Sequence, residues 1–397
     1  MQPESPSGQM LAHVLTNESH LFTAAVDSTL DRMSDELDAE ETRAASIDVS
    51  GDDDSAGASS DSMGLVLNQR IQQMRALERR NGVQDLMYAN ILQKFRSVGV
   101  DMLPPLDDAA LDALRGVDLT KLTTGVHSTE ALEMVKEHLM GMLGPEAAGA
   151  YSNTLVRMSK LQAAQMYAAS IMFGYFLRKA DRRFKLDRAM GTLPMNPAES
   201  AASLEALFEA ASAMDSMDEA DRGAGIEGEF GAFDAPPSTA ASKSSGTLTL
   251  KQYVQSFDQA ALVETSRVVS LEGVTLAERQ TGALFGSGET LAKEMQATLE
   301  EGGEPITTPD ELMSRVQDVV GGGKVKTVTL PVATQRRVVL EAVAFGTFLR
   351  DAESMVDARD GRLLTPAPRL QGPTGLIGNG GGEDGDGGGE GGGGVRA

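Results

Sequence analysis

No cysteine and no tryptophan occur in the 397 residues, and aromatic residues make up only 4% of the chain. Without thiols there is no disulfide, no thiolate nucleophile, no cysteine-held zinc and no iron–sulfur cluster. The same absence fits a reducing compartment. Few aromatics, set against 20 Met and a hydrophobic share of 41%, favour helices packed through aliphatic and Met side chains over an aromatic-rich β-sandwich. Catalytic signatures are also missing. The chain has no Gly-x-Ser-x-Gly elbow, no Gly-x-x-x-x-Gly-Lys phosphate loop, and no Gly-x-Gly-x-x-Gly set between a strand and a helix. Gly321-Gly322-Gly323-Lys324 lacks the following Ser or Thr and reads as a turn.

The four histidines, His13, His20, His127 and His138, form neither His-x-x-x-His nor His-Glu-x-x-His, so a metal site would need ligands from distant segments. Structural roles are expected for all four, with His138 on the surface beside Glu137 and His127 directly before a helix N-cap. Carboxylate pairs such as Asp107-Asp108 and Glu300-Glu301 read as solvated charge. No catalytic, cofactor-binding or metal-binding residue is assigned.

The net charge of −23 is concentrated. Residues 34–62 hold 10 acidic residues and one basic, residues 195–246 hold 10 and two, and residues 371–397 hold four and one. The rest of the chain is close to neutral. Acidity therefore belongs to spacers, where it keeps the chain solvated. It argues against nonspecific binding of DNA by the whole protein.

Between the spacers the periodicity is helical. Leu11, Val14, Leu15, Leu21, Phe22, Val26, Leu30 and Met33 mark an N-terminal helical segment over 1–33, with a break near Asn17 and Ser19. Leu67, Ile71, Met74 and Leu77 continue into Leu86, Met87, Ile91, Leu92 and Phe95, with an interruption expected at Asn81-Gly82. A helix over 128–143 starts at Ser128 and stops at Gly144-Pro145. The clearest element spans 160–189: Ser159 and Gln162 form a capping box. From Met166 to Leu177 it carries no charge, which marks a buried central helix rather than a membrane span. Helical patterning resumes at 248–285, 289–300, 310–320 and 334–358, with a short helix near Leu204–Ala213 and a short β edge near 324–332. The expected organisation is mainly α. A first helical unit spans 63–194 and a second spans 247–370, with disordered acidic spacers at 34–62 and 195–246 and a disordered Gly-rich tail at 371–397, where 14 residues are Gly.

An internal repeat links the units. Phe173-Gly174-Tyr175-Phe176-Leu177-Arg178-Lys179-Ala180-Asp181 returns as Phe345-Gly346-Thr347-Phe348-Leu349-Arg350-Asp351-Ala352-Glu353, with six identities in nine positions. Upstream of each stands a helix that begins Ser-x-Glu and ends in a large apolar residue and Gly: Ser128, Glu130, Leu143 and Gly144, then Ser270, Glu272, Phe285 and Gly286. Ser170 with Gly174, and Ala342 with Gly346, leave small-residue faces for a close helix crossing. Phe173, Phe176, Leu177, Phe345, Phe348 and Leu349 complete this packing signature. The expectation is two equivalent helix-pair units packed on each other with pseudo-two-fold symmetry.

Three stretches carry a family likeness: Glu4-Ser5-Pro6-Ser7-Gly8-Gln9, the run from Ser159-Lys160-Leu161 to Tyr167-Ala168-Ala169-Ser170-Ile171-Met172-Phe173-Gly174-Tyr175-Phe176-Leu177, and Leu340-Glu341-Ala342-Val343-Ala344-Phe345-Gly346-Thr347-Phe348-Leu349. In these the chain resembles the plant UV-B-induced chloroplast protein family, whose domain has no known function. The resemblance implies a plastid protein linked to light or stress responses, and brings no catalytic residue, cofactor or partner. Transit peptides are basic and poor in acids, whereas Glu4 and Glu18 precede the first basic residue, Arg32. A start upstream of Met1 is expected.

One basic cluster stands out: Arg178, Lys179, Arg182, Arg183, Lys185 and Arg188, beside only Asp181 and Asp187. It has two readings: cations favoured at a helix C-terminus, or an anion-binding interaction patch. The second copy lacks this charge. Three classes of function follow. The first is a non-enzymatic helical interaction or regulatory protein with protein partners, the second an enzyme with an unfamiliar site, and the third a peripheral membrane protein embedding part of 161–177.

Overall fold

The computed structural model describes residues 3–49, 60–106, 118–144, 154–193, 205, 208, 248–300 and 309–368. Helices α1 (Pro6–Asn17), α2 (Phe22–Val49) and α3 (Ser60–Val98) come first, α1 and α2 being joined by a 3₁₀ turn at Ser19–Leu21. The short α4 (Thr120–Thr123) and α5 (Thr129–Leu143) lead to strand β1 (Leu155–Ser159) and the long α6 (Lys160–Met190). Then follow α7 (Leu250–Gln255), α8 (Gln259–Ser266), α9 (Leu271–Phe285), α10 (Gly288–Glu300) and α11 (Pro309–Gly321). Strand β2 (Thr327–Pro331) opens directly into α12 (Val332–Asp360), which ends in a 3₁₀ turn at Gly361–Leu363.

The fold is mainly α because its two longest apolar runs, in α6 and α12, pack on each other, and the second is buried on every side. In α12, Val338-Val339-Leu340 and Ala342-Val343-Ala344-Phe345 are buried all round, as is Glu341 among them. A helix apolar on all faces needs neighbours on all faces, and α3, α5, α6 and α9 supply them. One core runs from Leu11 to Leu363, joining the N-terminal helices and both repeat copies. A small satellite core of Met295, Val319 and Val320 seats α10 and α11.

Helices α6 and α12 cross at their glycines. A Cβ on Gly174 would lie 2.0 Å from the Val343 carbonyl oxygen, and one on Gly346 would lie 1.9 Å from the Ile171 carbonyl oxygen. Each glycine therefore meets the backbone three residues ahead of the other, which is what a two-fold relation requires. Thr347 Oγ1 donates to the Val343 and Gly174 carbonyls at 3.0 and 3.3 Å across this contact. The strands obey the same relation. β1 pairs antiparallel with β2, with Arg157 opposite Thr329 at the centre, and each strand runs straight into its long helix through the N-caps Ser159 and Pro331. The same spacing separates Leu155 from Thr327, Ser159 from Pro331 and Gly174 from Gly346.

The capping box at Ser159, with both reciprocal bonds at 3.1 Å, stands as expected, and so does the β edge near 324–332. Three readings change. Helix α3 is unbroken at Gly82, because that glycine admits Met33: a Cβ there would lie 2.8 Å from the Met33 methyl. Of the spacer expected at 34–62, residues 34–49 and 60–62 are helical, since α2 runs on to Val49 and α3 begins at Ser60. Leu37 is buried, and cations brought from elsewhere offset the acids: Arg79 on Glu40, Arg362 on Asp38 and Glu41. Patterning within 248–285 divides into three helices, capped anew by Asp258 and Ser270. Glu205 and Phe208 are helical. The rest of 195–246, residues 50–59, Asp107-Asp108 and the tail 371–397 lie outside the described residues.

Candidate functional site

Among the described residues, three polar nodes share one design. In each, a serine caps a helix N-terminus and its hydroxyl donates a hydrogen bond to a carboxylate on a long core helix. Ser270 caps α9 and donates through Oγ to Glu353 of α12, and its backbone N–H adds a bond of 2.8 Å. Ser128 caps α5 and donates to Asp181 of α6 at 2.7 Å. Ser5 caps α1 and donates to Asp85 of α3 at 2.7 Å, with the backbone N–H groups of Glu4 and Ser5 at 2.9 and 2.7 Å on the same oxygen. The serine oxygens in turn accept from Gly8, Ala131 and Gly273 backbone N–H groups at 3.0, 3.3 and 3.1 Å. Orphan donors at a helix start are thus met by a hydroxyl, and the carboxylate adds charge where the helix dipole favours it.

A Ser–carboxylate pair can belong to a nucleophile, but here the surroundings decide otherwise. Ser270 and Glu353 are 1% and 0% exposed, and the serine lone pair already holds the Gly273 amide. Glu353 also accepts from Tyr175 Oη and from Arg350 at 2.7 Å. Tyr175 is pushed well up in pKa by burial and by that carboxylate, and its oxygen accepts from the Val269 N–H. The node couples α6, α9 and α12.

A further carboxylate has no counterpart in the first copy, where Ala169 holds the matching position. Glu341 is fully buried, and both its oxygens accept from Leu103 N–H, at 2.9 and 3.1 Å. Burial pushes it up to about 8, against the opposing pull of that hydrogen bond and of Arg337. It pins the segment after α3 to the central helix. Tyr88 nearby is pushed up to about 12 by burial first and Glu341 second.

Of the expected packing residues, Gly174 and Gly346 lie at the crossing. Ser170, Gly174, Leu177, Ala342, Phe345, Gly346, Phe348 and Leu349 are buried, while Phe173 and Phe176 are half-buried. Phe348 sets its edge against Phe95 at 5.1 Å. The surface reading of His138 is corrected: it is half-buried, stacked on Phe173 at 4.1 Å, with Nε2 3.0 Å from Ser170 Oγ. Burial lowers its pKa to about 4, so it is neutral at neutral pH. Small Ser170 admits the imidazole, which sequence spacing does not reveal. His127 is also lowered to about 4, by burial and then by Arg178.

Each cation of the basic cluster has a partner inside the fold. Arg178 grips Asp351 with bonds of 2.7 and 3.0 Å, and Arg182 adds 2.7 Å to the same carboxylate. Lys179 donates to the Glu264 and Arg267 carbonyls at the end of α8. Arg183 lies over Phe257 and near Asp187, Lys185 holds Asp181, and Arg188 reaches Glu130 and covers Phe184. Helix α6 packs Ala163, Tyr167, Ile171, Gly174, Tyr175 and Leu177 into the core and leaves Ala169 exposed, and among the described residues no helix is long and apolar enough to cross a membrane. Sequence reading missed Ser5 with Asp85, and Glu341. Ser5-x-x-Gly8 repeats Ser270-x-x-Gly273, and that was the available signal; a lone acid in an apolar run was the other.

Residues 66–190 match a family model described as a protein of unknown function (DUF760). The chain is 32% identical over 368 residues to a UV-B-induced chloroplastic protein of Arabidopsis thaliana, covering 90% of this chain and 76% of that relative. No solved structure matches. The relative is chloroplastic by name, which supports a chloroplast location here. The chain belongs to the family of this UV-B-induced chloroplastic protein.

Proposed function

We propose that the protein is a non-enzymatic helical component of the plastid response to UV-B, acting through contact with other plastid proteins. One observation carries this reading: the buried carboxylates Asp85, Asp181 and Glu353 each hold the N-terminus of a neighbouring helix. Groups that would perform chemistry in an enzyme are occupied in fixing helix positions, and the product is a rigid apolar crossing with a varied helical exterior. The relative's name supplies the link to UV-B and the plastid.

The purified chain, incubated with a plastid metabolite extract, is expected to leave every metabolite unchanged. In chloroplasts, proximity labelling before and after UV-B should return a defined protein set that purified partners then reproduce in solution. Depletion of a metabolite by the wild-type chain, abolished by Glu353→Gln, would replace this reading with an enzymatic one. The basic cluster is tested separately. Arg182→Glu with Arg183→Glu should leave the partner set intact, and loss of a partner would give the cluster an interaction role.

A further inference from the structure

Helix α3 has two halves of different character. From Val83 to Phe95 it is packed into the core. From Val66 to Glu78 every residue is exposed, about 18 Å of helix at 1.5 Å per residue. That half is not a polar surface helix. Val66, Leu67, Ile71, Met74 and Leu77 are 63%, 59%, 40%, 59% and 51% exposed. At 100° per residue they share a face roughly 140° wide. Residues 66–80 also hold Arg70, Arg75, Arg79 and Arg80 against the single acid Glu78, in a chain of net charge −23. Arg79 pairs with Glu40; among the described residues no carboxylate is paired with Arg70 or Arg75.

We propose that this half of α3, with Leu67, Ile71, Met74 and Leu77 as its apolar face and Arg70 and Arg75 as its cations, docks on an anionic lipid surface. A helix with one apolar face and basic flanks lies in the headgroup boundary of a bilayer, drawn by buried apolar area and by anionic lipid together. The charges along this face weigh for a lipid occupant. With Leu67 and Met74 at a positions of a heptad, Arg70 falls at d, and with them at d positions, Glu78 falls at a, so in either register a partner helix meets a charged residue in its seam. A second copy of this chain would also bring its own arginines against these. At a bilayer, Arg70 extends its stem along the apolar face and keeps its charge among phosphates. Several acids of α2 already hold cations of the fold. Glu36 pairs with Arg32, and Asp38 and Glu41 pair with Arg362. Acids farther than a Debye length, about 10 Å at 0.1 M salt, are screened. This goes beyond the reading above, since the partner is lipid and the surface touches none of the three capping nodes.

The test is vesicle flotation of the full chain, with phosphatidylcholine alone or phosphatidylcholine containing phosphatidylglycerol. Wild type should float with the anionic vesicles only. Ile71→Glu with Met74→Glu should lower the partition constant by more than about a hundredfold, and Arg70→Gln with Arg75→Gln by about thirtyfold. Both pairs lie on exposed positions, and an unchanged circular dichroism spectrum and melting temperature will show that the fold is kept. Three results would each overturn the proposal: no flotation with anionic vesicles, equal flotation with phosphatidylcholine, or flotation unaltered in either variant. Light scattering on the same samples identifies the competing occupant. A wild-type dimer that Ile71→Glu dissociates, without vesicle binding, would assign the face to a second copy. A failed flotation leaves the protein-contact reading untouched, because that is measured by purified partners in solution.

Discussion

The two halves of the crossing share a backbone and differ in their charges. Arg178 on α6 and Arg350 on α12 occupy matching positions, yet the next residue is Lys179 in one and Asp351 in the other. A helix laid on its own copy meets itself, so equal charges at matching positions near the axis would face each other. The substitution resolves this. Arg178 and Arg182 reach across to Asp351, while Arg350 turns back on its own helix to Glu353. Lys179, freed from that contact, holds the carbonyls ending α8. The carboxylates at the two later matching positions also diverge. Glu353 is enclosed with Tyr175 and Arg350, while Asp181 shares its charge with Lys185, whose side chain is 51% exposed. Symmetry is strict where backbone meets backbone and broken where charge meets charge.

The strict part gives the largest expected effect. Gly174→Ala and Gly346→Ala each drive a methyl into a carbonyl oxygen of the opposing helix, and no side-chain motion relieves a backbone clash. Each should cost more than about 4 kcal/mol and lower the melting temperature by more than about 10 °C. The contrast is Gly282→Ala in α9, where a new Cβ meets nothing within 4 Å. There the helix should gain about 0.5–1 kcal/mol from reduced chain entropy. Equal behaviour of all three in a thermal melt would break the two-fold crossing.

The carboxylates rank next. Glu353→Ala leaves Arg350, Tyr175 and the Ser270 N–H without their partner in a dry interior, at about 3–5 kcal/mol. Asp181→Ala should cost clearly less, because Lys185 regains water. Denaturant midpoints of the two variants give the order, and a larger loss for Asp181 would reverse the comparison.

Glu341 belongs to the second copy alone, and its signature is a pH dependence. Its folded pKa, about 8, lies above its ordinary value of 4.5. Between these values the unfolded chain ionises it and the folded chain does not. Stability is therefore complete below about pH 4.5, falls as pH rises through the window, and levels off above about 8, when the native group ionises too. In Glu341→Gln this decline should vanish, and the variant should gain on wild type steadily from acid to alkaline pH. Urea midpoints measured across that range decide it; parallel curves would remove Glu341 from the account.

Much of the fold was legible in the sequence because it rests on local signals. The capping box at Ser159 and Gln162, the uncharged run in α6 and the repeated Phe-Gly-x-Phe-Leu-Arg each act within a turn or two. The crossing itself followed from two small residues four apart. What escaped depends on partners distant in the chain. Helix α2 continues past Leu37 because Arg79 and Arg362 come to its acids, and no window around Asp38 contains them. Strand β1 exists because β2 lies opposite it; Leu155–Ser159 alone has only Val156 as a β-branched residue. The Ser5–Asp85 node spans most of the first hundred residues, and its clue lay in the likeness of Ser5-x-x-Gly8 to Ser270-x-x-Gly273.

The smallest effect tests the divergence of the copies. Asp351 carries Arg178 and Arg182 together, with side-chain exposures of 13%, 26% and 43%. These are partly solvated pairs, so much of the Coulomb attraction is offset by desolvation and screening. Asp351→Asn should cost only about 1 kcal/mol, and the gap from wild type should narrow as salt is raised, since screening weakens what the variant has lost. Asp351→Lys goes further: it restores the residue type found at Lys179, sets a third cation beside Arg178 and Arg182, and should be the worse of the two variants. Salt should then help Asp351→Lys more than wild type, because added ions relieve repulsion there and weaken attraction here. If both variants lose the same stability at every salt concentration, the change from Lys to Asp between the copies did not answer a like-charge conflict, and packing alone sets the crossing.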